Sequence, residues 1–205
     1  MRVLPIFLVS VSWAQVAASD VQAIFSAAHS AFKRMPDLEI VERIEGKCGA
    51  DAHVNQGVAY CTSENKIYLN KAVQDTTEAS YLVAHVLGHA AQVNHGVADQ
   101  ALTAIRARPD DEIFLRGLVT RQVECLAGLF YAISGAAQGR LSDWFVEEPF
   151  NGSHWGRNPL RIGPKVSIGL EARDVWFQKG QAAVSPADCA VGELDAKLLV
   201  NAYKL

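Results

Sequence analysis

The run ASYLVAHVLGHAAQV, from 79 to 93, holds no proline and one glycine, Gly88, and it constrains the fold more than any other segment. Asp75 stands three residues before Glu78, a capping-box spacing with the aspartate as cap, so a helix is expected to follow directly. His85 and His89 are four apart in that helix and therefore lie on one face, one turn from each other. Two further helices are expected close behind, at about 97 to 107 and, beyond Pro109, at about 112 to 134. These three central helices should form the core. The third carries Glu124 and Cys125 in an otherwise apolar stretch.

Shorter patterns flank this centre. Val21, Ile24, Phe25, Ala28 and Phe32 follow Ser19 and Asp20 at helical spacing, which predicts a helix over about 20 to 34. The β-rich runs 38–44, 58–61 and 66–69 predict a small antiparallel sheet with a hairpin. From 135 to 164 glycine, proline, asparagine and serine accumulate among Trp144, Phe145, Phe150, His154 and Trp155, as in a long packed loop. Helices near 165–180 and 186–203 would close an α+β, mainly helical fold.

The chain has 205 residues, half of them apolar, and a formal net charge of −3. That size suits one domain, and the balance favours neither disorder nor nucleic acid as a partner. Met1 and Arg2 precede an apolar run from 3 to 13 and the small-residue stretch 14–19, the pattern of a secretory leader cleaved after Ala18. Residues 1–18 are thus expected to be a signal peptide and 19–205 the domain, exported to a periplasmic or extracellular space. No segment reaches the roughly 20 apolar residues of a membrane-spanning helix. The four cysteines are an even set, and export favours disulfides. Cys48 and Cys61 flank a short loop and are paired locally, leaving Cys125 with Cys189, although three connectivities are open to four cysteines. A cysteine zinc site finds no close C-x-x-C pair. Asn151-Gly152-Ser153 would be a glycosylation acceptor in a eukaryotic source.

A pair of imidazoles one turn apart can grip a metal ion, and catalytic zinc takes a third protein donor beside water. Glu124 is the candidate, since a carboxylate inside an apolar helix is costly unless paired or ligating. A salt bridge to Arg116 or Arg121 is the alternative account.

Beyond these spacings, the chain resembles the bacterial neutral zinc metallopeptidases, whose helix carries H-E-x-x-H. The resemblance rests on Ala59-Tyr60-Cys61 with Lys66-Ile67-Tyr68-Leu69, on the stretch from Ala84-His85 to Gln92, and on Gln122 to Gly128, similar to Q-A-D-C-x-A-G. Arg173, Trp176-Phe177, Gly180 and Ala187-Asp188-Cys189 resemble the family's R-x-x-W-F-x-x-G segment and closing cysteine. It implies a zincin-like domain with His85, His89 and Glu124 as zinc ligands, and it brings His154 near the cleft.

Two residues depart from the family pattern. Glu124 stands where aspartate is usual, which keeps an oxygen donor on a longer arm. Val86 stands where the family carries its general-base glutamate, and valine moves no proton. Positioned acid–base catalysis is worth about 10²- to 10⁴-fold, roughly 3 to 5 kcal/mol. The resemblance therefore implies a zinc-binding pseudo-peptidase that holds a peptide or protein ligand without efficient cleavage. Two alternatives are an active metallopeptidase recruiting Glu64, Asp99, Glu147 or Glu148, and a metal-free structural or interaction protein on the same scaffold.

Overall fold

A computed structural model describes residues 13–150 and 166–205, with side chains from residue 20. Residues 1–12 of the expected leader, the Asn151 acceptor and His154 lie outside the described residues. Among the described residues, seven helices and three strands run in the order α1 (Trp13–Ala31), β1 (Asp37–Val41), β2 (Val58–Cys61), β3 (Lys66–Asn70), α2 (Ala79–Asn94), α3 (Val97–Ala107), α4 (Glu112–Ser134), α5 (Leu141–Trp144), α6 (Leu170–Gln181) and α7 (Lys197–Ala202). This is the expected α+β, mainly helical fold.

Helix α2 is apolar on every side, and Ala79 through Gln92 are all buried, as a helix without a polar face must be. It packs against α1 and α4, and α4 packs most extensively against α6. That last contact depends on two glycines. A Cβ on Gly128 would come within 2.0 Å of the Phe177 carbonyl oxygen, and one on Gly180 within 1.9 Å of the Cys125 carbonyl oxygen. The backbones therefore meet where no other residue fits. Helix α3 shows the simpler amphipathic rule, burying Val97, Ala101 and Ile105 at intervals of four.

The sheet has the order β1-β3-β2. Strands β2 and β3 form the expected antiparallel hairpin, with Tyr60 opposite Ile67. Strand β1 joins β3 in parallel instead, with Leu38 opposite Ile67, so the sheet is mixed. Alternation along the strands sorts their side chains. Val58, Tyr60, Ile67 and Leu69 enter the main core, whereas Ala59, Cys61 and Tyr68 face a second cluster with Val41, Ile44, Ala50 and Val54. The sheet thus separates a large helical core from a small lobe.

Both cysteine pairs are joined as read, Cys48 to Cys61 and Cys125 to Cys189, as suits an oxidising compartment. No helix among the described residues is long and apolar enough to cross a membrane.

Several local expectations are corrected. Asp75 does not cap α2: residues 73–78 form turns, and Glu78, with no side-chain cap bond, precedes the helix. Ser19 and Asp20 lie within α1 rather than ahead of it. The helix expected at 186–203 is instead a 3-10 turn over Pro186–Cys189, a bridge between Val191 and Leu194, and the short α7. Gly192 at φ 56° turns the chain between them, in a left-handed conformation that ends any helix.

Candidate functional site

Gly88 sets how closely α2 approaches α4. A Cβ there would lie 2.9 Å from the Val123 carbonyl oxygen, so its absence lets the two helices touch. They run antiparallel: His85 meets Glu124 near one end, and at the other Gln92 donates to Gln122 Oε1 at 2.9 Å and to the Val119 carbonyl at 3.3 Å. The histidine face of α2 is thereby turned onto Glu124.

His85, His89 and Glu124 are all buried, at 0%, 6% and 0% exposure. The two imidazole rings stand edge to face with centroids 4.9 Å apart. His85 also stacks on Phe150 at 4.0 Å between centroids. Nδ1 of His85 lies 3.1 Å from Glu124 Oε1. Tyr81, one turn before His85 on the same face, donates its hydroxyl to Glu124, 3.0 Å from Oε2 and 3.2 Å from Oε1. Arg173, 2% exposed on α6, closes the group by donating Nη1 to the same Oε1.

Arg173 is itself held from two sides. Its Nε donates to Glu148 Oε1 at 2.5 Å, and Glu148 also accepts from Ser167 Oγ and from the Ile168 amide at 3.2 Å. A continuous polar chain therefore runs from His85 through Glu124 and Arg173 to Glu148. His85, Glu124 and Arg173 are buried, which makes each of their bonds count for more than it would in water.

The charge states follow from these contacts. Burial would raise the Glu124 carboxyl, but His85 and the Arg173 guanidinium more than offset it and hold the group below the ordinary carboxylate range. Burial pushes His85 below the ordinary imidazole value, against the pull of Glu124. Burial would also raise Glu148, yet Ser167 and Arg173 keep it low. Desolvation works against the Arg173 charge, and the carboxylate of Glu124 reverses that and keeps it protonated.

These placements decide several of the residues singled out from the sequence. Arg173, rather than Arg116 or Arg121, pairs with Glu124, and Arg116 is engaged with Glu112 at 2.8 Å. Glu148 faces Arg173, not the histidines. Glu64 sits in the sheet lobe, bonded by Tyr68, and Asp99 and Glu147 are exposed. Val86 is fully buried within the main apolar core. The sequence reading overlooked Tyr81 and the bond of Arg173. Both had a signal: a tyrosine one turn before His85, and an arginine within the largely apolar packing of Trp176 and Phe177.

Among the described residues, one group of three nitrogen, sulfur or carboxylate donors lies within 4.8 Å of one another, namely Cys48, Cys61 and Glu64. His85, His89 and Glu124 do not form a second such group. Both oxygens of Glu124 are already engaged by protein hydrogen-bond donors, so the acid that should complete a zinc site is oriented toward Arg173, Tyr81 and the Nδ1 side of His85. As the three stand, Glu124 is committed to protein donors rather than converging with both imidazoles.

Neither any known protein family, nor any curated protein, nor any solved structure matches this chain.

Proposed function

We propose that this chain is an exported pseudo-peptidase: a metallopeptidase-like scaffold that does not hydrolyse peptides, with its histidine–acid constellation serving as a buried polar core. The observation that carries this reading is the commitment of Glu124. It is the buried carboxylate beside the histidine pair, and Arg173, Tyr81 and His85 surround it. A general base works best with a pKa near the operating pH, whereas Glu124 is held below the usual carboxylate range. Val86 supplies no substitute, since it is aliphatic and enclosed by the core.

A second reading is a zinc-binding pseudo-peptidase with His85, His89 and Glu124 as ligands. It is favoured by the two buried imidazoles standing one turn apart with rings 4.9 Å between centroids. The two readings separate on metal content and on melting with and without a chelator. A ligand that binds only the folded state raises its stability, so the metal-free reading expects no stoichiometric zinc and the same melting temperature in both conditions. Stoichiometric zinc that disappears in His85→Ala would establish the second reading in its place. Chelator-sensitive cleavage of an unstructured protein would overturn both.

A further inference from the structure

A cavity of about 250 Å³ opens at one corner of the domain, lined by Lys33 and Arg34 just beyond α1, by His95 at the end of α2, and by Leu198, Asn201 and Ala202 of α7. His95 lies outside the histidine–acid centre, at the joint of these three elements. We propose that it works as an acid-operated latch: protonation of its ring releases the C-terminal tail, Asn201 to Lys204, from the ends of α1 and α2.

The ring has one partner and one bare nitrogen. It stands against Phe32, with centroids 5.5 Å apart, and gives an N–H to the Lys33 carbonyl. In a neutral imidazole the nitrogen that donates carries the proton, so the other, Nε2, is left as an acceptor. Nε2 is buried and has no hydrogen-bond partner among the described residues. Protonation would turn it into a charged donor with nothing to receive its bond, and an unmet charged group costs more than an unmet neutral one. The cavity lining holds no carboxylate to answer that charge. Lys33 and Arg34 face the ring from the α1 side and Asn201 from α7, with Tyr203 and Lys204 beyond it. Arg34 is fixed there, since its Nη2 donates to the Asn94 carbonyl and Asn94 Nδ2 donates to the Arg34 carbonyl, both at 2.6 Å. Burial, and then Arg34, lower the imidazole, while the bond to Lys33 works the other way.

The tail is the piece able to yield. Tyr203 bridges to Phe32, the Lys204 amide bonds the Ala31 carbonyl at 2.9 Å, and Lys204 Nζ bonds the His29 carbonyl at 2.6 Å. Leu199 is fully buried and keeps the rest of α7 in place. Lifting the tail opens the cavity to water, which solvates the imidazolium, and uncovers Phe32, now 1% exposed. The ring takes up a proton more readily with the tail off. The closed form is therefore fully stable above the ordinary imidazole value of about 6.5 and loses stability as pH falls through it.

Hydrogen exchange of the full chain, corrected for intrinsic rates and followed by mass spectrometry from about pH 8 to pH 5, reads the tail and α4 separately across the range in which histidine titrates. Protection of the wild-type tail should fall severalfold on acidification while α4 keeps its own. His95→Gln, which retains a donor for the Lys33 carbonyl and does not titrate, should hold the tail equally at both ends of the range. Arg34→Gln, an exposed change that removes the neighbouring charge, should shrink the fall. Constant tail protection in the wild type, the same fall in His95→Gln, an undiminished fall in Arg34→Gln, or a loss from α4 in step with the tail would each overturn the latch.

Discussion

Replacing Arg173 by methionine probes the buried polar chain directly. Methionine fills similar volume with flexible apolar atoms, so the change removes chiefly the charge and its hydrogen bonds. It leaves Glu124 at 0% exposure with the Arg173 guanidinium gone. Breaking one side of a buried ion pair costs about 3 to 5 kcal/mol, because the remaining charge stays uncompensated. At roughly 2 to 4 °C per kcal/mol for a chain of this size, the melting temperature should fall by about 6 to 20 °C. The sign with pH follows from the two states. In the wild type the folded carboxyl is depressed, so its contribution is present above the unfolded carboxyl value of about 4.3 and is lost as pH falls through the folded one. In the variant, burial dominates and raises that carboxyl, so Glu124 is relieved by taking up a proton. The deficit should be full at pH 7 and shrink as the solution is acidified. Denaturant melts with both disulfides intact, run across pH on Arg173→Met, Glu124→Gln and the double variant, measure this. The double variant should cost clearly less than the sum of the two single changes. A loss below about 1 kcal/mol for Arg173→Met, or simple additivity, would refute the idea that the pair holds the core.

Other changes test other parts of the molecule. Val86→Glu places an unpaired carboxylate in a fully buried apolar position; it should destabilise by several kcal/mol, roughly the cost of an uncompensated buried charge, and yield no measurable hydrolysis of an unstructured protein. Gly128→Ala or Gly180→Ala should cost about 3 kcal/mol or more in denaturant melts, since each Cβ would meet backbone that cannot yield without separating α4 from α6. Replacing both cysteines of the 125–189 pair should cost about 4 kcal/mol, and of the 48–61 pair about 3 kcal/mol, from the loops they close. A reversed order would show that native contacts, not loop entropy, set the difference.

The sequence was most legible where one physical pattern acts alone. Helices α2, α3 and α4 follow from apolar runs bounded by Gly96, Pro109 and Gly135, and their bounds agree with expectation within a residue or so. The hairpin pairing of Tyr60 with Ile67 follows from alternation in β2 and β3. Legibility failed where partners are remote in sequence. Nothing local says that β1 will lie parallel to β3, because the pairing of Leu38 with Ile67 and Ile40 with Leu69 is made between segments remote in sequence. The stretch after Cys189 reads as helix by composition, yet the disulfide to α4 and the left-handed Gly192 bend it into turns. At the candidate site, His85 and Glu124 could be paired from their spacing and chemistry. The cation that pairs with Glu124 came from 49 residues beyond it, and a carboxylate in an apolar helix does not announce which cation will answer it.

The identity of that cation bears on what the scaffold can still do. A zinc peptidase needs an acid that coordinates, a base that takes a proton, and water between them. Here Glu124 is bonded by a buried guanidinium and a tyrosine, the residue after His85 is a core valine, and Phe150 stacks on His85. Each of these arrangements ties the centre into the surrounding packing. Buried polar groups that are fully satisfied specify one packing, and those left half satisfied are costly. The same residues that suggest a metalloenzyme in the sequence therefore act in the fold as a lock between α2, α4 and α6.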